Sequence, residues 1–511
     1  MKKKVLAAIL SAVMMAASVV GCAVPAPAAS SAPASTESAE AAAEAAPVEE
    51  GDAVTLHVYL MSSSITDDVE NVEKALSDYV RPLINANIDL TFINSGSYQD
   101  TVSQMVRAGD KDIDLCFLSE VNLRTAIAQE AVAPMGELLE KYGDGIVEAV
   151  GQQFIEAAYI NGEIYCIPSL KDMAQSRMLI YRTDMAEEAG VLGDLENGKK
   201  MNLEDLTPIF AKVKEAYPDY DMFGGCPGAQ SFGGWNWDNL GDSLGVLMDY
   251  AQDPTVVNVF ETDYYMNLCK TMREWYTNGY IDKDIATGTD FWNARIKAGN
   301  TFSGITSYKP GNVETCAIQV GYDLGYVIIT DALRCTSNVM NATLSIPEAS
   351  PNKEKAMQFL QLWYTDPAVP NYIINGVEGV NYEYKEDGTI GFITTQEESG
   401  YYNYGMGWTY GNQFITPVWN GTALDVWDQT RAFNEAAKCS VAFGFAWNNE
   451  DLVNEVAACT NVLTKYRADL ETGTIDPEEN IPKFVQELKD NGIDKIIEAK
   501  QAQLDAFLAN K

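Results

Sequence analysis

The chain has 511 residues, and its 73 acidic against 35 basic side chains leave a formal net charge of −38. So acidic a protein repels nucleic acid and anionic lipid head groups, while a 47% hydrophobic composition supplies cores for two to four folding units of roughly 100–200 residues each. With His57 as the sole histidine, no HExxH zinc site and almost no histidine-based triad can be written.

Lys2, Lys3 and Lys4 precede an apolar stretch from Val5 to Val20 that ends on Gly21-Cys22. A basic start, a short apolar core and small residues at the cut make an export signal. The ending resembles the bacterial lipobox, after which residues 1–21 are removed and Cys22 carries lipid. Residues 22–53 are dominated by Ala, Pro, Ser and Glu and cannot build a core. They read as a disordered tether with an end-to-end distance of roughly 30 Å.

Order begins at Val54, where Val54–Leu60 has the β-rich character of a buried first strand. His57 inside it has no identifiable catalytic partner and reads as a packed strand residue. A helical pattern runs through Val69, Val72, Leu76 and Val80 and is expected to end at Arg81-Pro82. Strands at 88–93 and 113–118 flank a helix around 98–108. This alternation implies βαβ units with ligands held at the carboxyl ends of the strands. Ser62–Ser64 and Ser119–Asn122 fall at two such ends, as ligand contacts or as turn and capping residues.

Gly162–Pro168 reads as a hairpin leading into a strand, and Met178–Arg182 opens a second set of elements. Helices are expected near 203–216 and 262–280, and strands at 325–329 and 339–346. A helix follows Ser350-Pro351, with Ala356, Phe359, Leu360, Trp363 and Tyr364 on its apolar side. Three helical segments occupy the last 60 residues, the middle one capped by Asp476 and stopped at Asn491-Gly492. Eight cysteines beyond Cys22 are widely spaced without a CxxC, which argues against a metal site.

No sequence feature carries catalysis. Asp110–Asp114 superficially resembles a calcium loop, but lacks Gly at its sixth position and Glu at its twelfth. No GxSxG, GxxxxGK[ST] or GxGxxG context occurs. The aromatics say more: many of the 9 Trp and 26 Tyr lie in polar, Gly-rich segments. Examples are Trp235 and Trp237, Phe291-Trp292-Asn293, and Gly407-Trp408-Thr409-Tyr410-Gly411-Asn412-Gln413. A saccharide offers a C–H face that an aromatic ring covers and hydroxyls that Asn, Gln, Asp, Glu and Arg satisfy. The bland reading of each ring is core packing.

Several passages in order carry a resemblance. Ala108-Gly109-Asp110 leads into Ile113-Asp114-Leu115; Gln129–Met135 follows; Asn161–Pro168 is close to the pattern NGK-x-Y-x-(I/Y)P; Ile346–Ala356 continues to Thr365-Asp366-Pro367. Together behind a lipobox they resemble the extracellular solute-binding lipoproteins of bacterial ABC importers, the group that includes maltose-binding protein. Ala131 departs from that pattern, where the family usually has Gly. The final third is similar to the LipO-type subgroup, usually described as binding oligosaccharides.

The resemblance implies a two-lobed α/β fold of periplasmic-binding-protein type II, each lobe a mostly parallel sheet flanked by helices. It places 54–168 plus 327–355 in a first lobe and 169–326 plus 356–511 in a second, with crossings near Pro168–Met173, Val327–Thr330 and Pro351–Phe359. It implies a monomer without enzymatic activity or cofactor, whose partners are an oligosaccharide or other small neutral solute and the membrane subunits of a permease. Expected ligand contacts are Ser63, Ser64, Glu120, Asn122, Lys171, Asp172, Trp235, Trp237, Trp292, Tyr308, Asn338, Trp408 and Gln413. A peptide-binding relative of the same architecture should be less aromatic, with a fixed Arg or Asp facing a charged terminus. An exported enzyme or adhesin is the third class.

Overall fold

A computed structural model of the protein describes residues 52–62, 65–160, 162–225, 235–288 and 290–511. The signal, Cys22 and the tether up to Gly51 lie outside the described residues, as do Ser63 and Ser64.

The first lobe opens with β1 (Val54–Ser62), α1 (Val69–Ile84), β2 (Ala86–Asn94), α2 (Ser95–Ala108), β3 (Leu115–Leu118) and α3 (Glu120–Ala128). Leu56, Val58 and Leu60 alternate inward along β1 and are fully buried, the period-2 pattern a sheet residue shows when one face packs. Helix α1 runs through Pro82 to Ile84, past the expected stop. Pro82 sits in the last turn, so its missing N–H removes one bond while buried Ile84 still anchors the end. Asn85 then closes the helix in the left-handed region at φ 52°.

The chain next forms β4 (Ile167–Pro168), β5 (Ser176–Arg182), α4 (Thr207–Ala216), β6 (Asp221–Phe223), α5 (Asp263–Thr277), β7 (Thr301–Tyr308), β8 (Leu324–Ile328), β9 (Leu333–Arg334) and β10 (Thr343–Ser345). The first sheet has the order β2-β1-β3-β10-β4, and the second β8-β5-β7-β6. Pairs β1–β2 and β1–β3 are parallel, and β10 runs antiparallel to both its neighbours. The second sheet departs from the mostly parallel expectation: only β7–β6 is parallel, and β5 pairs antiparallel with β7 and β8. The expected strand over 339–346 is split. Thr336–Met340 is a short helix, because the Asn338 Oδ1 accepts the Cys335 N–H at 2.8 Å and caps it.

The remaining elements are α6 (Lys353–Thr365), α7 (Ala368–Asn375), α8 (Val426–Ala436), β11 (Lys438–Cys439), α9 (Val453–Glu471), α10 (Pro477–Asp490) and α11 (Ile493–Ala509). Their packing corrects the expected division of the chain. Phe359, Leu360, Trp363 and Tyr364 of α6, Ile373 of α7, and Tyr401, Tyr410 and Phe414 beyond it are buried in one core with β1, β2 and β3. Residues 356–414 therefore pack on the first core, so the chain does not leave it at Pro351–Phe359, and Trp427 and Phe443 further on still touch it. The second core joins β5, β6, α4 and α5 to α9, α10 and α11.

Two buried side chains tie these segments together. Asp114, wholly buried, accepts from the His57 N–H at 2.9 Å, the Ser350 hydroxyl at 2.6 Å and the Asn352 amide at 3.2 Å, fixing the turn before α6 to the sheet. Asn434 on α8 accepts the Met173 N–H at 2.7 Å and donates to the Lys171 carbonyl at 2.9 Å, fastening the 171–173 segment to that helix. His57 is half-buried, with Nδ1 3.1 Å from Asp89 on the adjacent strand.

Candidate functional site

Helix α3 starts directly after β3, at the carboxyl end of the parallel strands, where α/β sheets hold ligands. Its first turn is fixed from α2: Gln99 Oε1 accepts the Ser119 N–H at 3.1 Å and the Asn122 amide at 2.9 Å. Asn122 is thereby spent on positioning the helix. Glu120 and Arg124, one turn apart, form an ion pair at 2.8 Å and line a cavity of about 550 Å³.

The facing wall of that cavity comes from the other lobe: Asp238 and Leu240 to Asp242, then Phe445 to Glu450, and Val453 and Val456 of α9. Trp447 packs against both apolar clusters of this region. Its indole Nε1 is buried without a hydrogen-bond partner. Asp242 accepts from Lys500 at 2.5 Å through Oδ1, while its Oδ2 is also buried and unpartnered. Asp238 is buried; it accepts the Ser440 hydroxyl at 2.7 Å and the Leu240 N–H at 3.1 Å. Burial still pushes its carboxyl above the ordinary aspartate range.

A second cavity of about 260 Å³ lies beside the crossings, lined by Gln175, Trp237, Asn239, Leu333, Cys335, Asn338 and Asn341. Ser337 lines both cavities, which therefore lie on either side of it. Together the two present aromatic and aliphatic surface, amides, hydroxyls and carboxylates.

The residues expected from sequence divide by position. Glu120 lines the larger cavity; Trp237 and Asn338 line the smaller. Lys171 and Asp172 lie in the first crossing. Lys171 is buried with Nζ on the Asp172 carbonyl at 2.7 Å, and burial lowers its pKa. Burial works to raise the Asp172 carboxyl, but Lys171 and Lys309, the latter at 2.8 Å, prevail and hold it below the usual range. Trp235 is packed in the second core. Trp292 is buried under β7, where a Cβ at Gly304 would press into the indole. Tyr308 stacks on Tyr326 at 5.5 Å, and Trp408 meets Phe117 edge-on at 6.3 Å. Gln413 is buried with its Nε2 unpartnered. Ser63 and Ser64 are outside the described residues.

Trp447, Asp238, Asp242 and Arg124 were not singled out by sequence reasoning. The segment Gly444-Phe445-Ala446-Trp447-Asn448-Asn449 bears the same mark as the loops that were, aromatic rings next to Gly and Asn. Asp238 and Asp242 carry no such mark among 73 acidic residues.

The sheet order, the crossings and a cavity between lobes define a solute-binding fold, and the family is shown directly. Residues 84–370 match the bacterial extracellular solute-binding protein family, to which this chain belongs; residues 441–509 match a domain of unknown function, DUF3502. The chain is 26% identical over 471 residues to a carbohydrate ABC transporter substrate-binding protein of Streptococcus pneumoniae, covering 91% of this chain and 93% of the relative. Its fold is similar to the crystal structure of the N-glycan transport solute binding protein NgtS from the same organism. The TM-score is 0.80 at 24% identity, over 89% of this chain and 99% of that one. It is also similar to the S. pneumoniae substrate-binding protein FusA in complex with kestose, with a TM-score of 0.60 at 16% identity, over 89% and 100%.

Proposed function

We propose that this protein captures an oligosaccharide between its two lobes and hands it unaltered to the permease of an ABC importer. The observation that carries the reading is the junctional cavity, about 550 Å³, which joins an indole with an unpartnered donor to a carboxylate with an unpartnered acceptor. Hydroxyls both donate and accept, so a sugar carries partners for both. Substrate-binding relatives support it: NgtS was crystallised with Man1GlcNAc and with Man5GlcNAc. A ligand touching both lobes binds the closed arrangement better and shifts the population towards it.

The test is calorimetry and thermal unfolding against neutral glycans, with Man5GlcNAc and maltotetraose included. A ligand at a hundred times its Kd stabilises the folded state by about 2.7 kcal/mol, a rise of several degrees in melting temperature. Small-angle scattering should show a smaller radius of gyration with the sugar. Binding without compaction removes the closure step; peptides binding in place of sugars removes the carbohydrate assignment.

The same reading has the mature chain held at the outer face of the membrane by lipid on Cys22. Cys22→Ala should move the protein from the membrane fraction into the medium. A variant that stays membrane-bound contradicts the anchor.

A further inference from the structure

The segment 441–509 that matches a domain of unknown function supplies one wall of the cavity and its support. Phe445 to Glu450 face the cavity. Ala442, Phe445 and Leu504 pack with Leu240, Leu247 and Val256 in a small apolar cluster, which ties this segment to the loop that carries Asp238 and Asp242. Beneath that loop sits Lys500 of α11, fully buried. Its Nζ donates to Asp242 at 2.5 Å, the Leu244 carbonyl at 2.9 Å and the Gly245 carbonyl at 3.3 Å. The same ammonium lies 5.3 Å from the centre of the Trp447 ring. Lys500 thus touches both cavity residues whose polar atoms are unpartnered and holds them side by side.

An unsatisfied buried donor next to an unsatisfied buried acceptor costs free energy in the empty protein. A hydroxyl can accept from the one or donate to the other once its side chain turns towards the cavity, and a sugar that does so also covers apolar wall. Charge narrows the class further. Among the described residues, Glu120, Asp238, Asp242 and Glu450 line the cavity with Arg124 as the one cation; Arg124 is paired with Glu120, and Asp242 with Lys500 beneath it, which leaves the carboxylates of Asp238 and Glu450 in excess. A carboxylate-bearing sugar would meet like charge there. We infer that residues 441–509 are the ligand-reading wall of the cleft, with Trp447 and the Lys500-held Asp242 forming a subsite for a neutral, hydroxyl-bearing sugar ring. The assignment rests on the carbohydrate reading above and deepens it.

The experiment is calorimetric titration of the purified protein and of Trp447→Ala, Trp447→Phe and Asp242→Asn with Man5GlcNAc, maltotetraose and tetragalacturonate. Trp447→Ala should weaken the neutral sugars roughly ten- to a hundredfold, and Trp447→Phe, which keeps a ring and loses the N–H, about tenfold. Asp242→Asn should cost a comparable factor, and its unfolding curve separates lost binding from lost folding. Tetragalacturonate should bind the unaltered protein more than roughly tenfold more weakly than the neutral sugars. If the unaltered protein binds no saccharide, the functional reading fails and the subsite with it. If it binds neutral sugars and both Trp447 variants match its affinity, the wall assignment alone is overturned. Equal affinity for tetragalacturonate overturns the selection by charge.

Discussion

Trp363→Ala should destabilise the unliganded protein by about 3–5 kcal/mol, the range for emptying a large aromatic from a core. Trp363 is wholly buried on α6 and sits 5.5 Å from the Phe359 ring. Gly411, at φ 63°, approaches it so closely that a Cβ there would stand 2.7 Å from the indole. The indole Nε1 has no partner, so no hydrogen bond is lost with the ring and the cost is transfer plus cavity. The surroundings cannot close the gap readily, because Gly411 is held from its far side: its carbonyl accepts the Leu170 N–H at 2.7 Å. Denaturant unfolding followed by far-UV circular dichroism checks the number. The same measurement checks where α6 belongs. If the two lobes unfold in separate steps, only the step that melts β1, β2 and β3 should shift. A loss below 1 kcal/mol, or a shift of the other step, would contradict the packing of α6 on the first sheet.

That helix shows where sequence reasoning stops. The spacing of Ala356, Phe359, Leu360, Trp363 and Tyr364 announces a buried face, and all five are buried. Periodicity states that a face is covered and not by what, so the same pattern fits either lobe. Local signals fared well: β1, β2 and β3, the Asp476 cap and the stop after Asp490 all stand where alternation and capping chemistry put them. Thr336–Met340 was misread because its cap is made by Cys335 and Asn338, a pair outside the usual capping types.

The candidate site was less legible, for a related reason. Glycine beside tryptophan has two physical meanings. It opens a loop around an exposed ring, or it lets a buried ring approach a backbone closely, as Gly304 does for Trp292. Trp235 and Trp292 proved buried, whereas Trp447, with the same neighbours in sequence, lines the cavity. At the start of α3 both readings hold at once, Glu120 facing the cavity and Asn122 fastening the helix. Asp242 becomes distinctive only through Lys500, 258 residues further on.

The largest electrostatic effect expected is at the other end of α9. Glu471 is fully buried and accepts from Arg467 Nε at 2.8 Å and from the Tyr265 hydroxyl at 3.1 Å, while its second oxygen has no partner. Burial pushes its carboxyl above the ordinary range, with Arg467 opposing. Arg467→Met should therefore cost about 3–5 kcal/mol at pH 7, because it strands a charge in the core. The pH dependence has a definite sign. A carboxyl whose folded pKa is raised favours the fold below its unfolded value of about 4.3 and loses that contribution as pH rises through the folded value. Removing the guanidinium raises the folded value further, so the deficit of Arg467→Met should be largest at neutral pH and shrink towards pH 5. Replacing both partners, Arg467→Met with Glu471→Leu, should restore part of the loss, since the apolar pair removes the stranded charge and leaves only the Tyr265 hydroxyl without its acceptor. Denaturant unfolding of the three variants at pH 7 and pH 5 decides it; a deficit that does not change with pH would place the cost in lost packing of Arg467 over Phe260 and not in the stranded carboxylate. Val453 and Val456, on the same helix, line the cavity. A double variant that regains stability should therefore regain sugar binding too, since the helix that carries the wall would again be held in place.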